Sequence, residues 1–280
     1  MSSPSVTEAT METDPALPTI TNVKSPKELS SLVKNLHGLP TNTPSIFLDA
    51  EWFRGEKATF LHFFIPSQNT IYRIKIDGQR SVDLSTKNPA EISLSSILES
   101  EPIPKVVFDV RRISKALFDQ HDLSLGGIQD LQLMELASRH AKQSKKYVTG
   151  LAKCIETEIP ESNEVRKRWF ESSNVDEYHA FNILGHTPRP SMYRVELFPP
   201  LWNTYNERLR QPKNEFWHAQ SLEQAGSRII ASKKPRFKIN DKKNTLGPED
   251  WYVEERRDEL MDNWNKTTKL SEDTSWIQFG

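Results

Sequence analysis

Ser45-Ile46-Phe47-Leu48-Asp49-Ala50-Glu51-Trp52 decides how the rest of this 280-residue chain is read. A short apolar run leads into two carboxylates spaced two apart, the pattern of a buried strand that ends in a site. Residues two apart on a strand share a face, so Asp49 and Glu51 are expected to aim their oxygens at one point. Like charges held that close raise each other's pKa unless a cation lies between them, and a hard divalent metal is the usual one. The other reading is a strand end whose acids simply meet water.

On the N-terminal side, Ser25-Pro26-Lys27-Glu28 supplies an N-cap, a first-turn proline and a capping-box glutamate, which predicts a helix from Pro26 to about Leu36. Thr19 to Val23 reads as a short extended piece. Residues 1–18, rich in Ser, Thr and Pro, read as a disordered tail. On the C-terminal side, Ala58 to Ile65 and Ile71 to Ile76 flank Pro66-Ser67-Gln68-Asn69 and complete an antiparallel meander with the acidic strand. A helix over Ile92 to Leu98 follows. Pro104 to Asp109 and Gly127 to Gln129 are further short strands, each leading into a helix, the second capped by Asp130. A meander followed by strand-helix units predicts an α/β fold, a mixed sheet flanked by helices. Beyond Tyr147 the patterns are mostly helical, with candidates at Val148 to Glu156, Asn163 to Ser172, Tyr193 to Leu209 and Phe216 to Ser232. The expected organisation is a tail over 1–18, a domain over 19–212 and a helical, basic extension over 213–280.

Composition narrows the function classes. A hydrophobic content of 36% supports a packed core, and a formal net charge of -1 is not the footprint of a dedicated nucleic-acid binder, so such binding would need local patches. Arg228, Lys233, Lys234, Arg236, Lys238, Lys242 and Lys243 form one such run, a track for a phosphate backbone or a solvated loop balanced by the acids of Glu249 to Asp262. Trp251, Trp264 and Trp276 read as anchors of this tail on the core, or as faces for base stacking. The single cysteine, Cys154, forms no intrachain disulfide and reads as a packed core residue. No apolar run reaches membrane-spanning length and no signal pattern opens the chain, so the expected location is cytoplasmic or nuclear, with no membrane partner.

Several separated motifs together resemble a known family. The strand with Asp49 and Glu51, Lys105-Val106-Val107-Phe108-Asp109-Val110-Arg111, Gly127-Ile128-Gln129-Asp130-Leu131-Gln132-Leu133-Met134-Glu135, Gly150-Leu151-Ala152-Lys153-Cys154-Ile155, Tyr178-His179-Ala180-Phe181-Asn182 and Leu201-Trp202 are similar, in that order, to the fungal branch of the 3'-5' exonuclease-domain proteins. These resemble RNase D and belong to the DEDD superfamily with its RNase H-like fold. The resemblance implies two divalent metals, Mg2+ or Mn2+, held by four acids, with one metal activating water and the other stabilising the leaving oxygen.

Only the first motif, Asp49 and Glu51, matches that ligand set. The family's second metal-binding Asp falls at Ile113, within Arg112-Ile113-Ser114-Lys115, and an isoleucine offers no lone pair. Aligning the last motif on Pro199 and Trp202 puts Pro190 at the family's Tyr and Arg194 at its Asp, with Glu196 a displaced ligand in reserve. A site of about four negative charges would then hold two negative and one positive, too few oxygen donors for two divalent cations. Asp49 and Glu51 are expected to pair with Arg194 instead. Two functions follow: a 3'-5' exonuclease acting on RNA or DNA through Asp49 and Glu51 with Glu196 or Asp109 as an improvised ligand, or a non-catalytic module that binds nucleic acid, through Lys233, Lys234, Arg236 and Lys238, or grips a protein partner.

Overall fold

The strand patterns assemble into one six-stranded mixed sheet in the order β1-β4-β3-β2-β5-β6. The strands are β1 (Thr19–Val23), β2 (Ile46–Phe53), β3 (Lys57–Ile65), β4 (Thr70–Lys75), β5 (Lys105–Val107) and β6 (Ile128–Asp130). The computed structural model describes residues 16–53, 57–79, 81–173 and 190–274. Most of the expected tail, residues 1–15, lies outside them.

β2, β3 and β4 form the antiparallel meander. Its second turn is the 3-10 segment Pro66–Gln68, closed by Asn69 in the left-handed region at φ 42°, which asparagine tolerates better than most side chains. β5 and β6 continue the sheet parallel to β2. The sequence gives no pairing partner for Thr19–Val23; it adds parallel to β4, from Thr19 opposite Thr70 to Val23 opposite Ile74. Helix α1 (Pro26–His37) carries the chain from β1 back to β2. Ser25 caps it by accepting from the Glu28 N–H, and it buries Leu29, Leu32, Val33 and Leu36, the i, i+3, i+4, i+7 stripe that lets an amphipathic helix cover a sheet. With β3 on one side and β5 on the other, β2 is central, and Ile46, Phe47, Leu48 and Ala50 are all buried. Burying each of the larger three stabilises the fold by about 1.5–3 kcal/mol.

Helices α2 (Leu94–Glu99), α3 (Val110–His121), α4 (Leu131–Ser138), α5 (Leu151–Glu158) and α6 (Glu164–Ser173) follow. The helix expected from Tyr193 to Leu209 is broken into α7 (Pro190–Arg194), a 3-10 turn Val195–Leu197 and α8 (Phe198–Leu209). Pro199 and Pro200 are the cause: neither has an N–H, so they fit only the first turn of a helix, and a new helix must start at Phe198.

Helix α9 (Glu215–Ser232) packs against α3, α4 and β6. One carboxylate organises that junction. Asp130, 1% exposed, accepts from the backbone N–H groups of Asp109 (2.9 Å), Val110 (3.1 Å) and Gln132 (3.0 Å) and from Arg228 Nη1 at 2.7 Å. Arg228 therefore leaves the basic run in which its sequence position places it, because its guanidinium is turned into the core. Trp251 is buried edge-on to Trp217 with ring centroids 5.5 Å apart, and Trp264 lies 6.0 Å from Phe216. Trp276 lies outside the described residues. Among the described residues no helix is long and apolar enough to cross a membrane.

Candidate functional site

Register explains which side chains meet at the end of β2. Asp49 lies opposite His62 on β3, and His62 opposite Arg73 on β4, while Glu51 lies opposite Phe60. With period-two alternation these five side chains share one face of the sheet. A register irregularity between Glu51 and Trp52 marks a bulge at the strand end, a device that re-aims side chains at the rim of a sheet.

Each carboxylate faces a guanidinium. Arg194, at the end of α7, donates from Nε to Asp49 Oδ2 at 2.6 Å and from Nη2 to Asp49 Oδ1 at 2.7 Å. This is the bidentate fork that matches a carboxylate in geometry as well as charge. The Asp49 side chain is 12% exposed and that of Arg194 31%. Burial alone would lower the Arg194 pKa, but the Asp49 carboxylate reverses this and holds it above the ordinary value. Glu51, 4% exposed, accepts from Arg73 Nη2 at 2.9 Å and lies 3.7 Å from His62 Nε2. Arg73 in turn sits 3.3 Å above the Phe60 ring.

Two further arginines border this face. Arg112, in the first turn of α3, stacks 4.0 Å above the Trp52 ring. Burial lowers its pKa, the Arg194 charge lowers it further, and Asp49 and Asp109 oppose both. Arg168 on α6 donates to Glu196 Oε2 at 2.9 Å. Burial raises the Glu196 pKa and Arg168 opposes that rise. Glu196 is the middle residue of the 3-10 turn Val195–Leu197 that follows Arg194, and its Oε2 is held by Arg168 of α6. Ile113 is 5% exposed and packs in the core. Asp109, the other acid near the site, is the N-cap of α3, held in the left-handed region at φ 55° and paired with Arg111 Nε at 2.6 Å.

These donors do not fit a pair of divalent metals. Among the described residues no three His, Cys, Asp or Glu side chains come together as a metal-holding group. Both Asp49 oxygens already accept from Arg194. A dication at coordination distance from Asp49 would lie roughly 4–5 Å from that guanidinium. At an effective dielectric of about 20 the repulsion is on the order of 7 kcal/mol.

The basic segment lies beside α3. Lys234, Arg236, Lys238, Lys242 and Lys243 are exposed and enter no ion pair among the described residues. Lys233 is half-buried and donates to Ser124 Oγ at 2.8 Å. The loop is pinned by Asn244, whose Nδ2 donates to the carbonyls of Lys238 (2.9 Å) and Ile239 (2.8 Å), and whose carbonyl accepts from Arg111 Nη1 at 2.9 Å. The first turn of α3 therefore borders the basic loop through Arg111 and the carboxylate site through Arg112. Sequence reasoning missed His62, Arg73, Arg112 and Arg168 as participants. Their only signal is strand register and helix placement, which no short motif encodes. Tyr178 to Asn182, one of the motifs carrying the resemblance, lies outside the described residues.

No protein-family model matches the chain, and no curated protein matches it. Solved structures do. The Trypanosoma brucei RNase D–GMP complex matches with a TM-score of 0.59 at 15% identity, over 83% of this chain and 70% of that one. The same enzyme's complex with RNA U12 matches with a TM-score of 0.52 at 16% identity, over 84% and 78%. Escherichia coli RNase D, an exoribonuclease involved in structured RNA processing, matches with a TM-score of 0.51 at 14% identity, over 77% of this chain and 51% of that one. The chain shares the fold of these RNases D.

Proposed function

We propose that this chain is a pseudo-exonuclease: a protein with the RNase D fold that binds a nucleic-acid strand and does not hydrolyse it. The observation that carries the reading is the fork of Arg194 on Asp49, at 2.6 and 2.7 Å. In the resemblance that aligns these motifs, an acid and a metal belong where that guanidinium stands. In the two-metal reaction that the resemblance implies, a cation activates the attacking water as a Lewis acid, and a guanidinium bound to a carboxylate does not. Ile113, buried and apolar, removes a second donor. Glu196, taken by Arg168, does not replace it.

The fold and the charge distribution support nucleic acid as the partner. One RNase D of this fold has been solved with GMP and with RNA U12, and the exposed Lys234, Arg236 and Lys238 with the half-buried Lys233 give this chain a basic edge for a phosphate backbone. The exonuclease-like unit is assigned to residues 19–212 and the basic extension to 213–280, with a cytoplasmic or nuclear location.

The test is a cleavage and binding assay on labelled single strands of RNA and DNA with Mg2+ or Mn2+, run in parallel on Asp49→Ala. The expected outcome is strand binding without shortening, the same in both proteins. Metal-dependent shortening from the 3' end that is lost in Asp49→Ala would return the chain to the active exonucleases.

A further inference from the structure

Two basic segments far apart in the chain, the loop between α4 and α5 and the loop after α9, are joined at a seam. Val148 donates its N–H to the Thr245 carbonyl at 3.0 Å, Gly247 donates to the Lys146 carbonyl at 2.8 Å, and Tyr147 pairs with Leu246 in an isolated antiparallel bridge. Gly247 lets the backbones come this close, since a Cβ there would stand 2.5 Å from the Lys145 carbonyl oxygen. Lys146 on one side of the seam, and Lys242 and Lys243 on the other, are exposed and enter no ion pair among the described residues. Acids that follow the seam are engaged elsewhere: Arg256 pairs with Glu249 and Asp250, and Arg257 with Glu254 and Asp258. Asp241 turns its carboxylate to the Lys243 N–H at 2.9 Å. Three ammonium groups against that one carboxylate make the seam a face for a polyanion.

An aromatic ring stands on this face. Tyr147 is 57% exposed and is the one exposed aromatic side chain among the described residues. Two positions earlier in the same loop, Lys145 is only 6% exposed and donates to the carbonyls of Leu136 (2.7 Å) and Ala137 (2.8 Å) at the end of α4. The loop thus turns a lysine inward and a tyrosine outward, the reverse of what burial of apolar surface favours. Its backbone is held in that arrangement: the Tyr147 carbonyl accepts from Arg139 Nη1 at 2.9 Å, and Arg139 is itself forked onto Glu135. Lys146 Nζ lies 5.6 Å from the Tyr147 ring centroid, and a ring this exposed keeps more surface open than one ammonium covers. An open aromatic face beside ammonium groups is the combination that holds single strands, because every base has a π face and the charges follow the backbone.

Resting on the binding reading above, we infer that this seam is a stacking platform for a single nucleic-acid strand, with an unpaired base on the Tyr147 ring and the adjoining phosphates on Lys146, Lys242 and Lys243. The ligand is an unpaired stretch of RNA or DNA. A duplex, whose bases already stack on one another, offers this face only its phosphates.

The experiment is fluorescence anisotropy with the full chain over a range of salt, on a labelled oligoadenylate, an oligodeoxyadenylate, an abasic deoxy strand of the same length and the oligodeoxyadenylate paired into a duplex. Tyr147→Ala is expected to weaken binding of both single strands by about 5- to 150-fold, the range for loss of one stacked base, with the salt slope unchanged and with no effect on the abasic strand or the duplex. Tyr147→Phe is expected to bind as the wild type, because stacking uses the ring and not the hydroxyl. Lys242→Ala with Lys243→Ala is expected to lower the slope of log affinity against log salt by about 0.7 for each phosphate no longer neutralised. All three side chains are exposed, so thermal melts of these variants should match the wild type; the abasic strand reads the stacking on the unmodified chain, which should bind it more weakly than the oligodeoxyadenylate. Equal binding of the abasic strand and the oligodeoxyadenylate, tighter binding of the duplex than of either single strand, or wild-type affinity in Tyr147→Ala overturns the inference. If that last result comes with loss of binding in Lys234→Glu with Lys238→Glu, the non-catalytic binding reading stands on the loop alone. Failure of the unmodified chain to bind any strand overturns both.

Discussion

Replacing Arg194 with alanine removes two charge-assisted donors, at 2.6 and 2.7 Å, from a carboxylate whose side chain is only 12% exposed. Stranding one member of a fully buried ion pair costs about 3–5 kcal/mol, because the remaining charge has no solvent to turn to. Here the guanidinium is 31% exposed, so water can enter where it stood, and the cost falls to roughly 2 kcal/mol. For a chain of this size that corresponds to a drop in melting temperature of about 3–4 °C. The assay is calorimetric or urea unfolding of the wild type, Arg194→Ala, Asp49→Ala and the double variant. In the double variant neither charge is stranded, so its loss is expected to fall short of the sum of the single losses by about 1–2 kcal/mol. If Arg194→Ala melts with the wild type, or if the two single losses add within about 0.5 kcal/mol, the pair does not hold the site and the reasoning fails.

Asp130→Ala removes the acceptor of three backbone N–H groups and of Arg228, so a stability loss of about 3–5 kcal/mol is expected, with Arg228→Met costing less because the backbone donors remain; equal melts for Asp130→Ala and the wild type would contradict this. Lys105 is wholly buried, donating to the carbonyls of Ile97 and Ser100, and burial pushes its pKa down to about 8. The folded state therefore binds fewer protons than the unfolded chain between about pH 8 and pH 10.5, and the group's contribution to stability rises with pH across that window by at most about 3 kcal/mol. Urea midpoints of wild type and Lys105→Met should diverge in that direction as pH rises, and parallel profiles would refute it. Burial pushes the Cys154 thiol up to about 12, with Tyr205 opposing, so an aromatic disulfide reagent should label it slowly in the native protein and rapidly in denaturant; native labelling at the rate of a free thiol would count against the packing.

What the sequence carried, and what it did not, divides along physical lines. The meander, the parallel additions and the capping of α1 by Ser25 and of α4 by Asp130 depend on local patterns: period two, β-branched runs, and cap residues within three positions of the turn they close. Those are written in adjacent residues. The pairing of Thr19–Val23 with β4 is long-range and leaves no mark in either strand. The break at Val195–Leu197 was legible in Pro199-Pro200, but an otherwise continuous apolar pattern hid it. At the site, Asp49, Glu51, Ile113 and Arg194 could be named because they align with motifs in chain order. His62 and Arg73 reach Glu51 only through strand register, and Arg168 reaches Glu196 only through the packing of α6. Arg228 illustrates the converse, a member of a basic run by position and a core residue by geometry, because Asp130 is buried beneath it.

The most direct test of the central claim is isothermal titration of the full chain with Mn2+, repeated on Asp49→Ala. If Arg194 has replaced the metals, the two proteins will give the same titration, with no Asp49-dependent binding. Two Mn2+ ions bound per chain, with at least one lost in Asp49→Ala, would contradict the account.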